Sequence, residues 1–528
     1  MDRIKILDCT LRDGGYINDF YFGERVLKNV IDKLSKASID IIECGFLKSN
    51  CFDKNRSLFG SVEAIKDMIG NKNPRLMYVA MVQYGKISNE EISEYDGTSI
   101  DGIRITFHEH EIEPAFVLGK QLMDKGYKVF MQPVGTMTYT DETLLQLITQ
   151  INELAPFAFY LVDTLGTMYK NDLLRMFYLV DHNLDKSIAI GFHSHNNLQL
   201  SFANAQELMQ LNTPRQLIID SSVFGMGRGA GNLHTELVTQ YVNFNFGLKY
   251  DNLEVLEIID EYIRPLSFRY QWGYDAAYYI ASVTGCHPNY ASFLMNKQTL
   301  HVQDIHAILN NLSQDKRALF DKTYIEQEYL KYMGHHVDDT NVRAEVMQLI
   351  GDKKVLLLAP GKSLSGMTET IKEMNSKNNY YVISVNFIPN DIDINAAFIS
   401  NMKRFANVTE LAMHSGANRK VIVTSNITTD NPDILVVDYM TYINEESCIM
   451  DNAGLMCINL LKKLGVREIL LAGFDGFSPN QDENFYRESM KMQVEVEELE
   501  RRNMATAKKL TQLKSQMDIA FLTETMYK

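Results

Sequence analysis

The sequence predicts an α/β protein in which an amino-terminal (β/α)8 barrel with a helical appendage precedes a carboxyl-terminal doubly wound α/β domain. Eight short apolar segments alternate with amphipathic segments in the first part of the chain, and a second alternating pattern begins at Lys353. A chain of 528 residues is also too long for one hydrophobic core, so two or three domains are expected.

The amino-terminal pattern consists of eight consecutive βα repeats, which we assign to residues 1–249. Eight such repeats are typical of a TIM barrel, although an open doubly wound sheet has the same local pattern. The predicted strands are rich in Ile, Val, Leu and Phe. They are Ile4–Leu11, Ile39–Phe46, Leu76–Val82, Gly102–Thr106, Lys128–Pro133, Ala158–Asp163, Ile188–His193 and Gln216–Ser221.

Helical patterns replace the strand patterns over residues 250–333. We interpret this segment as a helical appendage that covers one side of the barrel. Residues 334–352 are polar and are predicted to form a linker.

Residues 353–528 have the alternating pattern of a small Rossmann-like sheet. A long charged helix is expected over residues 482–513. The predicted strands are Val355–Pro360, Tyr380–Val385, Ala396–Ile399, Lys420–Thr424, Ile434–Val437, Glu468–Ala472 and Ile519–Leu522.

The bulk composition argues against several classes of protein. The formal net charge of −15 disfavours a general nucleic-acid binder, which needs a basic surface. The sequence has no apolar run of about 18 residues, so we expect no membrane span. Six scattered cysteines without a C-x-x-C pair are typical of reduced thiols, and the amino terminus lacks a signal-peptide pattern, so a cytoplasmic protein is expected.

Metal-ligand side chains occur at the ends of two predicted barrel strands. Arg12 and Asp13 follow the first strand, where they could equally form a surface ion pair before a turn. His193 and His195 end the seventh strand and can converge, because alternate residues of a strand face the same side. Two imidazoles and one carboxylate suit a hexacoordinate Mn²⁺ or Mg²⁺ ion, whereas Zn²⁺ is more often tetrahedral.

Four motifs together resemble the pyruvate-utilising, metal-dependent aldolases and lyases, and in particular the 4-hydroxy-2-oxovalerate aldolase branch. That superfamily also includes hydroxymethylglutaryl-CoA lyase and isopropylmalate synthase. The resemblance covers about residues 1–300, and its motifs occur in the expected order. They are Thr10–Gly14, Glu43, His193–His195 and Gly225–Asn232.

The resemblance implies a divalent metal held by Asp13, His193 and His195, with Asn232 in or near the coordination sphere. It also implies that a 2-oxo acid binds the metal and reacts through its enolate. The remaining residues expected at the site are Arg12 as the group that stabilises the enolate oxygen, Glu43 as the group that orients Arg12, and Gly14, Asp163 and Thr164 as substrate-binding positions.

The chain departs from the aldolases at Tyr16, where they place a basic histidine. A phenol titrates near pH 10 and is a poor base at neutral pH, so we expect Tyr16 to donate a proton or a hydrogen bond. A metal-bound water is an alternative base. The histidines His108, His110 and His287 are further candidates, for which structural roles are the alternative.

The glycine-rich loop Gly225–Gly231 allows two interpretations. It can shape the metal pocket and place Asn232, as the resemblance implies, or it can cradle a phosphate or CoA pyrophosphate. Its spacing is not a Rossmann fingerprint.

The turn Ala359–Leu364 follows a predicted strand and lacks the Walker pattern. Its backbone amides can bind a phosphate, or the segment can be a tight strand-to-helix turn that binds no ligand. With Asn452–Met456 and Leu471–Asp475 it resembles small Rossmann-like domains of bacterial glycan-modifying proteins, including some sialyltransferases. This resemblance implies a nucleotide or nucleotide-sugar site at Gly361, Lys362, Ser363, Asn386 and Asp475.

Together these patterns predict a metal-dependent aldolase that makes or breaks a carbon–carbon bond between pyruvate and an aldehyde. The second domain points to a sugar-derived aldehyde and to surface-glycan synthesis. The alternatives are an acyl-CoA/2-oxo acid condensing enzyme, a nucleotide-sugar-dependent transferase with a degenerate barrel, and a binding module without catalysis. The expected partners are small molecules, without nucleic acid or membrane, and a homo-oligomer is left open.

Overall fold

Eight parallel strands close into a barrel in the first part of the computed structural model, which describes residues 3–247, 249–334, 336–378, 380–414, 419–480, 484–486 and 496–527. A ninth, two-residue strand, β3, extends one side of the sheet. The strands are β1 (Ile4–Asp8), β2 (Ile41–Leu47), β3 (Leu58–Phe59), β4 (Met77–Gln83), β5 (Gly102–Phe107), β6 (Lys128–Pro133), β7 (Ala158–Asp163), β8 (Ala189–Ser194) and β9 (Leu217–Ser221).

The strand order confirms the predicted barrel and excludes the open sheet. The order is β1-β9-β8-β7-β6-β5-β4-β2-β3, and the pairing of Leu7 with Ile41 joins β1 to β2 and closes the ring. All eight predicted strands are present, with ends that differ by up to three residues. Because every strand is parallel, all their carboxyl ends lie at one mouth of the barrel.

Helices surround the strands, since each has an apolar face that must be buried. In α1 the buried side chains are Leu27, Val30, Ile31 and Leu34, at the spacing of a helix face. The helices are α1 (Glu24–Lys36), α2 (Val62–Ile69), α3 (Ile112–Asp124), α4 (Asp141–Leu154), α5 (Lys170–Asn183), α6 (Ser201–Gln210) and α7 (Thr235–Phe246).

Alternation along each strand separates two sets of side chains. Ile103 and Ile105 of β5 and Ile219 of β9 belong to the large apolar cluster shared with the helices. The residues between them point the other way, into the barrel, and include the buried Arg104 and Asp220. Apolar side chains of the strands form a separate cluster inside the barrel.

The residues after the barrel are mostly helical. Helix α15 lies within the segment 334–352, which was predicted to be a linker, and buries Val346 and Ile350. The helices are α8 (Asn252–Ile258), which continues as a π-helical turn over Ile259–Ile263, α9 (Arg264–Ser267), α10 (Ala276–Val283), α11 (Pro288–Lys297), α12 (Val302–Asn310), α13 (Gln314–Arg317), α14 (Lys322–Met333) and α15 (Thr340–Ile350).

The chain divides into two units. The first contains residues 1–292 and 313–320, and the second contains residues 293–312 and 321–528. The segment predicted to be a helical appendage, residues 250–333, therefore contributes to both units.

A seven-stranded parallel sheet forms the core of the second unit, as predicted. Its strands are β10 (Val355–Leu358), β11 (Tyr381–Val385), β12 (Ala396–Ile399), β13 (Lys420–Thr424), β14 (Ile434–Val437), β15 (Glu468–Ala472) and β16 (Asp518–Phe521). The order β14-β13-β12-β11-β10-β15-β16 places the reversal of direction at β10, as in a doubly wound sheet.

The helices of the second sheet complete the fold. They are α16 (Thr368–Asn378), α17 (Met402–His414), α18 (Tyr439–Tyr442), α19 (Ala453–Lys463) and α20 (Val496–Lys514). Of the long helix predicted over residues 482–513, the positions 482–483 and 487–495 lie outside the described residues. Within the described parts of the chain, no helix combines the length and the apolar character needed to cross a bilayer.

Candidate metal centre

Three side chains bring potential metal ligands together at the carboxyl mouth of the barrel. The ligand atoms of Asp13, His193 and His195 all lie within 4.8 Å of one another. Asp13 and His193 are buried and His195 is half-buried. The two imidazole rings are 5.3 Å apart and nearly perpendicular, so their nitrogens approach the centre from different directions.

A tight turn after β1 delivers Asp13 to this position. The backbone N–H groups of Arg12 and Asp13 both donate to the carbonyl oxygen of Cys9, at 3.1 and 2.8 Å. A Cβ atom at Gly14 would lie only 3.0 Å from Cγ of Met226, so glycine permits close packing against the loop that follows β9. This contact gives Gly14 a packing role next to the ligands.

Asp13 is held as a carboxylate. Burial by itself would favour the neutral acid, but the nearby Arg12 and then His195 and His193 favour the charged form and hold the pKa of Asp13 well below its usual value. Nη1 of Arg12 donates to Oδ1 at 2.7 Å, and Nδ2 of Asn232 donates to Oδ2 at 2.6 Å. Asp13 therefore carries the negative charge that a divalent cation needs.

The buried atoms at the site that have no hydrogen-bond partner among the described residues include Oδ1 of Asn232 and Nη2 of Arg12. An unsatisfied buried polar atom is costly, so each indicates a missing partner. A cation near the amide oxygen and a ligand oxygen near the guanidinium would satisfy both. The residues present therefore fit a divalent metal together with an oxygen-bearing ligand.

Glycine at position 231 lets the loop before Asn232 reach the metal ligands. Gly231 has φ +83°, and a Cβ there would lie 2.0 Å from the carbonyl oxygen of Gly225. The carbonyl of Gly231 accepts a hydrogen bond from the N–H of Asn196, and His195 forms a β-bridge with Asn232. Backbone contacts thus hold Asn232 beside His195.

Asp220 fixes the orientation of His193. Nδ1 of His193 lies 3.0 Å from Oδ2 of Asp220, so the N–H donates to the carboxylate and Nε2 keeps its lone pair for a metal. Asp220 also accepts hydrogen bonds from Arg104 and from the hydroxyl of Tyr160. Burial raises the pKa of Asp220, but attraction from Arg104 and the bond with His193 outweigh it and lower the pKa overall.

A chain of alternating charges runs through the barrel interior and connects the metal ligands. Oε2 of Glu43 lies 2.8 Å from Nε of Arg12 and 2.8 Å from Nη1 of Arg104, and Arg104 in turn pairs with Asp220. All four side chains are buried. Sequence reasoning found Arg12 and Glu43 but missed Arg104 and Asp220, although a lone charge inside each apolar strand was a signal.

Asp163 and Thr164 hold the loop after β7. The carboxylate of Asp163 accepts from the N–H groups of Thr167 and Met168 at 2.9 and 3.1 Å, and burial raises its pKa to about 6. Oγ1 of Thr164 accepts from the N–H of Gly135 at 2.8 Å. These contacts are internal to the mouth of the barrel and give both residues a role in loop geometry.

The proposed proton-transfer groups occupy different places. Tyr16 is 40% exposed and lies under the guanidinium of Arg228, with 4.0 Å between the Cζ atom and the ring centroid. His287 is buried, and its Nε2 lies 3.4 Å from Nη1 of the same arginine. His108 and His110 stack on each other in the turn after β5. Sequence reasoning missed Arg228, although it lies inside the glycine-rich motif.

The second unit brings together four of the five residues predicted to bind a nucleotide. The N–H and hydroxyl of Ser363 donate to the carboxylate of Asp475 at 2.8 and 2.5 Å. A Cβ on Gly361 would lie 2.6 Å from Cγ of Asp475, and Lys362 is part of the same turn. Asn386 lies at the end of β11, where Oδ1 accepts hydrogen bonds from the backbone N–H groups of residues 400 and 401.

Comparison with known proteins matches the barrel. Residues 3–245 match the HMGL-like family. The chain is similar to the oxaloacetate decarboxylase of Mycobacterium tuberculosis, with 25% identity over 239 residues that cover 44% of this chain and 67% of the relative. It is also similar to the 4-hydroxy-2-oxovalerate aldolase of Geobacillus genomosp. 3, with 26% identity over 268 residues that cover 49% and 76%.

Among solved structures, the chain resembles the HMG-CoA lyase of Brucella melitensis. The sequence identity is 16% and the TM-score is 0.41, over 49% of this chain and 96% of that one.

Proposed function

We propose that the protein is a divalent-metal-dependent lyase that makes or breaks a carbon–carbon bond between pyruvate, as its enolate, and an aldehyde, because residues 3–245 match the HMGL-like family. One observation carries this proposal. Three ligand atoms of Asp13, His193 and His195 lie within 4.8 Å of one another beside the buried guanidinium of Arg12. One relative is named a 4-hydroxy-2-oxovalerate aldolase, from Geobacillus genomosp. 3.

A divalent ion such as Mn²⁺ or Mg²⁺, held by Asp13, His193 and His195, would act as a Lewis acid towards the 2-oxo acid. Asp13 supplies the negative charge, and Asp220 orients His193 by binding Nδ1, which leaves Nε2 as the nitrogen for the metal. Oδ1 of Asn232 is the further oxygen that can complete the ligand set.

Arg12 is the group best placed to stabilise negative charge on the ligand. Two of its nitrogens are fixed by Asp13 and Glu43, whereas Nη2 is buried and has no partner among the described residues. A fixed donor of this kind stabilises charge that develops on an oxygen without reorganising during the reaction. We therefore assign enolate stabilisation to Arg12 and its orientation to Glu43.

The aldehyde is proposed to be sugar-derived, which would connect the barrel with surface-glycan synthesis. The second unit supports a hydroxyl-bearing ligand more than a bare phosphate. Asp475 already accepts from the N–H and hydroxyl of Ser363, and its negative charge would repel a phosphate at this turn. A ribose or sugar hydroxyl could still donate to the carboxylate.

A second candidate reaction is decarboxylation of a 2-oxo dicarboxylic acid such as oxaloacetate. One relative is named an oxaloacetate decarboxylase. In this reaction the bond from C3 to the departing carboxylate breaks, its electron pair forms the same enolate, and a proton then adds at C3 to give pyruvate. The residues assigned to the enolate would serve both reactions.

An assay of the metal-supplemented protein tests the proposal and separates the two reactions. The protein with Mn²⁺ is given a panel of 4-hydroxy-2-oxo acids, pyruvate with sugar aldehydes, and oxaloacetate, and products are identified by mass spectrometry. Metal-dependent aldehyde release or addition supports the aldolase, and metal-dependent CO₂ release without aldehyde chemistry supports the decarboxylase. No metal-dependent turnover of any of these compounds would overturn both.

Metal content provides an independent test. Asp13→Asn should abolish bound Mn²⁺, measured by elemental analysis after gel filtration. Asp141→Asn is the matched control, because Asp141 is exposed and pairs with Arg175 far from β1 and β8 in the sequence. Equal metal content in the two variants would refute the ligand assignment.

A further inference from the structure

Arg228 and His287 place two hydrogen-bond donors opposite each other without an acceptor between them. Nη1 of Arg228 lies 3.4 Å from Nε2 of His287. The other ring nitrogen, Nδ1, accepts a hydrogen bond from the N–H of Asn289 at 3.2 Å. In a neutral imidazole the nitrogen that does not accept carries the proton, so Nε2 is an N–H group that faces the guanidinium.

His287 is held in the neutral form. Burial lowers its pKa most, and the positive charge of Arg228 lowers it further, to about 3. A neutral N–H group and a guanidinium cannot hydrogen-bond to each other, since neither offers an acceptor. Both can donate to the same third group.

Arg228 is a half-buried cation at the mouth of the barrel. It forms no ion pair with any acidic side chain that the structure describes, and its guanidinium packs on the face of Tyr16. The loop that carries Arg228 lies against the metal site, because a Cβ at the adjacent Gly227 would lie 2.2 Å from Nδ2 of Asn232 and 3.0 Å from Oδ2 of Asp13. A cation in this position, with an N–H group beside it, is suited to an anionic oxygen.

We propose that Arg228 and His287 together bind a carboxylate of the ligand next to the metal centre, and that Tyr16 is a positioning residue that supports Arg228. This inference rests on the proposed function and adds the chemical class of ligand to it. The carboxylate has two sources, the 2-oxo acid itself or an acidic group on the second substrate. Tyr16 acts through the face of its ring, so its hydroxyl is not required.

Binding of pyruvate to the Mn²⁺-loaded protein, measured by calorimetry, tests the pair. Arg228→Gln removes a charged donor and should weaken binding about 10- to 100-fold. Arg228→Lys keeps the charge and should weaken it less. His287→Gln keeps an N–H donor and should bind almost as the wild type does, whereas His287→Phe should bind more weakly. Arg175→Gln, at an exposed arginine, is the control.

Tyr16 is tested with two variants and the same measurement. Tyr16→Phe keeps the ring face and should preserve pyruvate binding. Tyr16→Ala removes the ring and should weaken pyruvate binding, as Arg228→Gln does. Equal losses in Tyr16→Phe and Tyr16→Ala would overturn the positioning role.

Steady-state kinetics distinguish the two possible sources of the carboxylate. The KM values for propanal and for 4-oxobutanoate are measured at saturating pyruvate in the wild type and in Arg228→Gln. A loss confined to 4-oxobutanoate assigns the pair to the second substrate, and a loss in pyruvate binding assigns it to the 2-oxo acid. If Arg228→Gln folds as the wild type does and changes neither the affinity for pyruvate nor the KM for 4-oxobutanoate, the inference is overturned. If the wild type binds no pyruvate, the proposed function itself fails.

Discussion

Arg12 and Glu43 form an ion pair that is buried at both ends, with 2.8 Å between Nε and Oε2. The same carboxylate oxygen lies 2.8 Å from Nη1 of Arg104. One glutamate therefore compensates two guanidinium groups that are shielded from water. Because Arg12 also binds Asp13, the stability of the barrel interior and the geometry of the metal centre depend on the same carboxylate.

Replacing Glu43 by Gln should strongly destabilise the barrel. The neutral amide would leave Arg12 and Arg104 with less compensating charge, and breaking a buried pair by removing one partner costs about 3–5 kcal/mol. Denaturant unfolding of the purified variant measures this loss. Asp124→Asn breaks the exposed pair with Lys120 and should have little effect. Equal stability of both variants would contradict this account.

Replacing Asp220 by Asn should weaken metal binding while leaving all three ligands in place. The amide cannot fix His193 as the carboxylate does, and loss of such an outer contact typically costs about 10- to 100-fold in metal affinity. Tyr160→Phe is the matched control, because the phenol contacts the other oxygen of Asp220 and not His193. Mn²⁺ titration of both variants measures the difference, and similar affinities would argue against the role of Asp220.

We expect the barrel to become less stable as the pH rises from about 4 to about 6, because the buried carboxyl of Asp8 titrates in this range. Burial raises the pKa of this carboxyl to about 6, against hydrogen bonds from Thr235 and Thr10 that lower it. In that pH range the folded state keeps a proton that the unfolded state has lost, so stability falls as pH rises. The effect should approach about 3 kcal/mol above pH 6.

Unfolding of the wild type and of Asp8→Asn over this pH range checks the prediction, since the variant lacks the titrating group. The difference in unfolding free energy should change with pH in the stated direction. Thr235→Val removes a hydrogen bond that favours the carboxylate and should extend the pH window upwards. A pH-independent difference between Asp8→Asn and the wild type would show that Asp8 does not titrate in this way.

Local patterns were sufficient to predict the strands and the three clustered side chains. Apolar periodicity is a property of each segment, and His193 and His195 share a face because they are two residues apart. The polar composition of residues 334–352 concealed helix α15, whose buried side chains are few. The contacts of Asp163 with Thr167 and Met168 are also local, but they were not foreseen.

Contacts made by closure of the barrel could not be predicted in this way. Arg104 and Asp220 are 116 positions apart and meet only because β5 and β9 face the same interior. Arg228 and His287 are 59 positions apart and lie outside the strands. Pairings of this kind depend on three-dimensional proximity, for which a single sequence carries no periodic signal.

Gly227 provides a steric test of the metal centre that leaves the charges of the site unchanged. Its φ lies outside the left-handed region, so the backbone would tolerate alanine. A Cβ there would, however, lie 2.2 Å from Nδ2 of Asn232 and 3.0 Å from Oδ2 of Asp13. Gly227→Ala should therefore displace both side chains and weaken Mn²⁺ binding by about 10-fold or more. Gly366→Ala is the control, because a Cβ at that position meets no atom within 4 Å. If both variants bind Mn²⁺ as the wild type does, Asn232 and Asp13 do not form the site described.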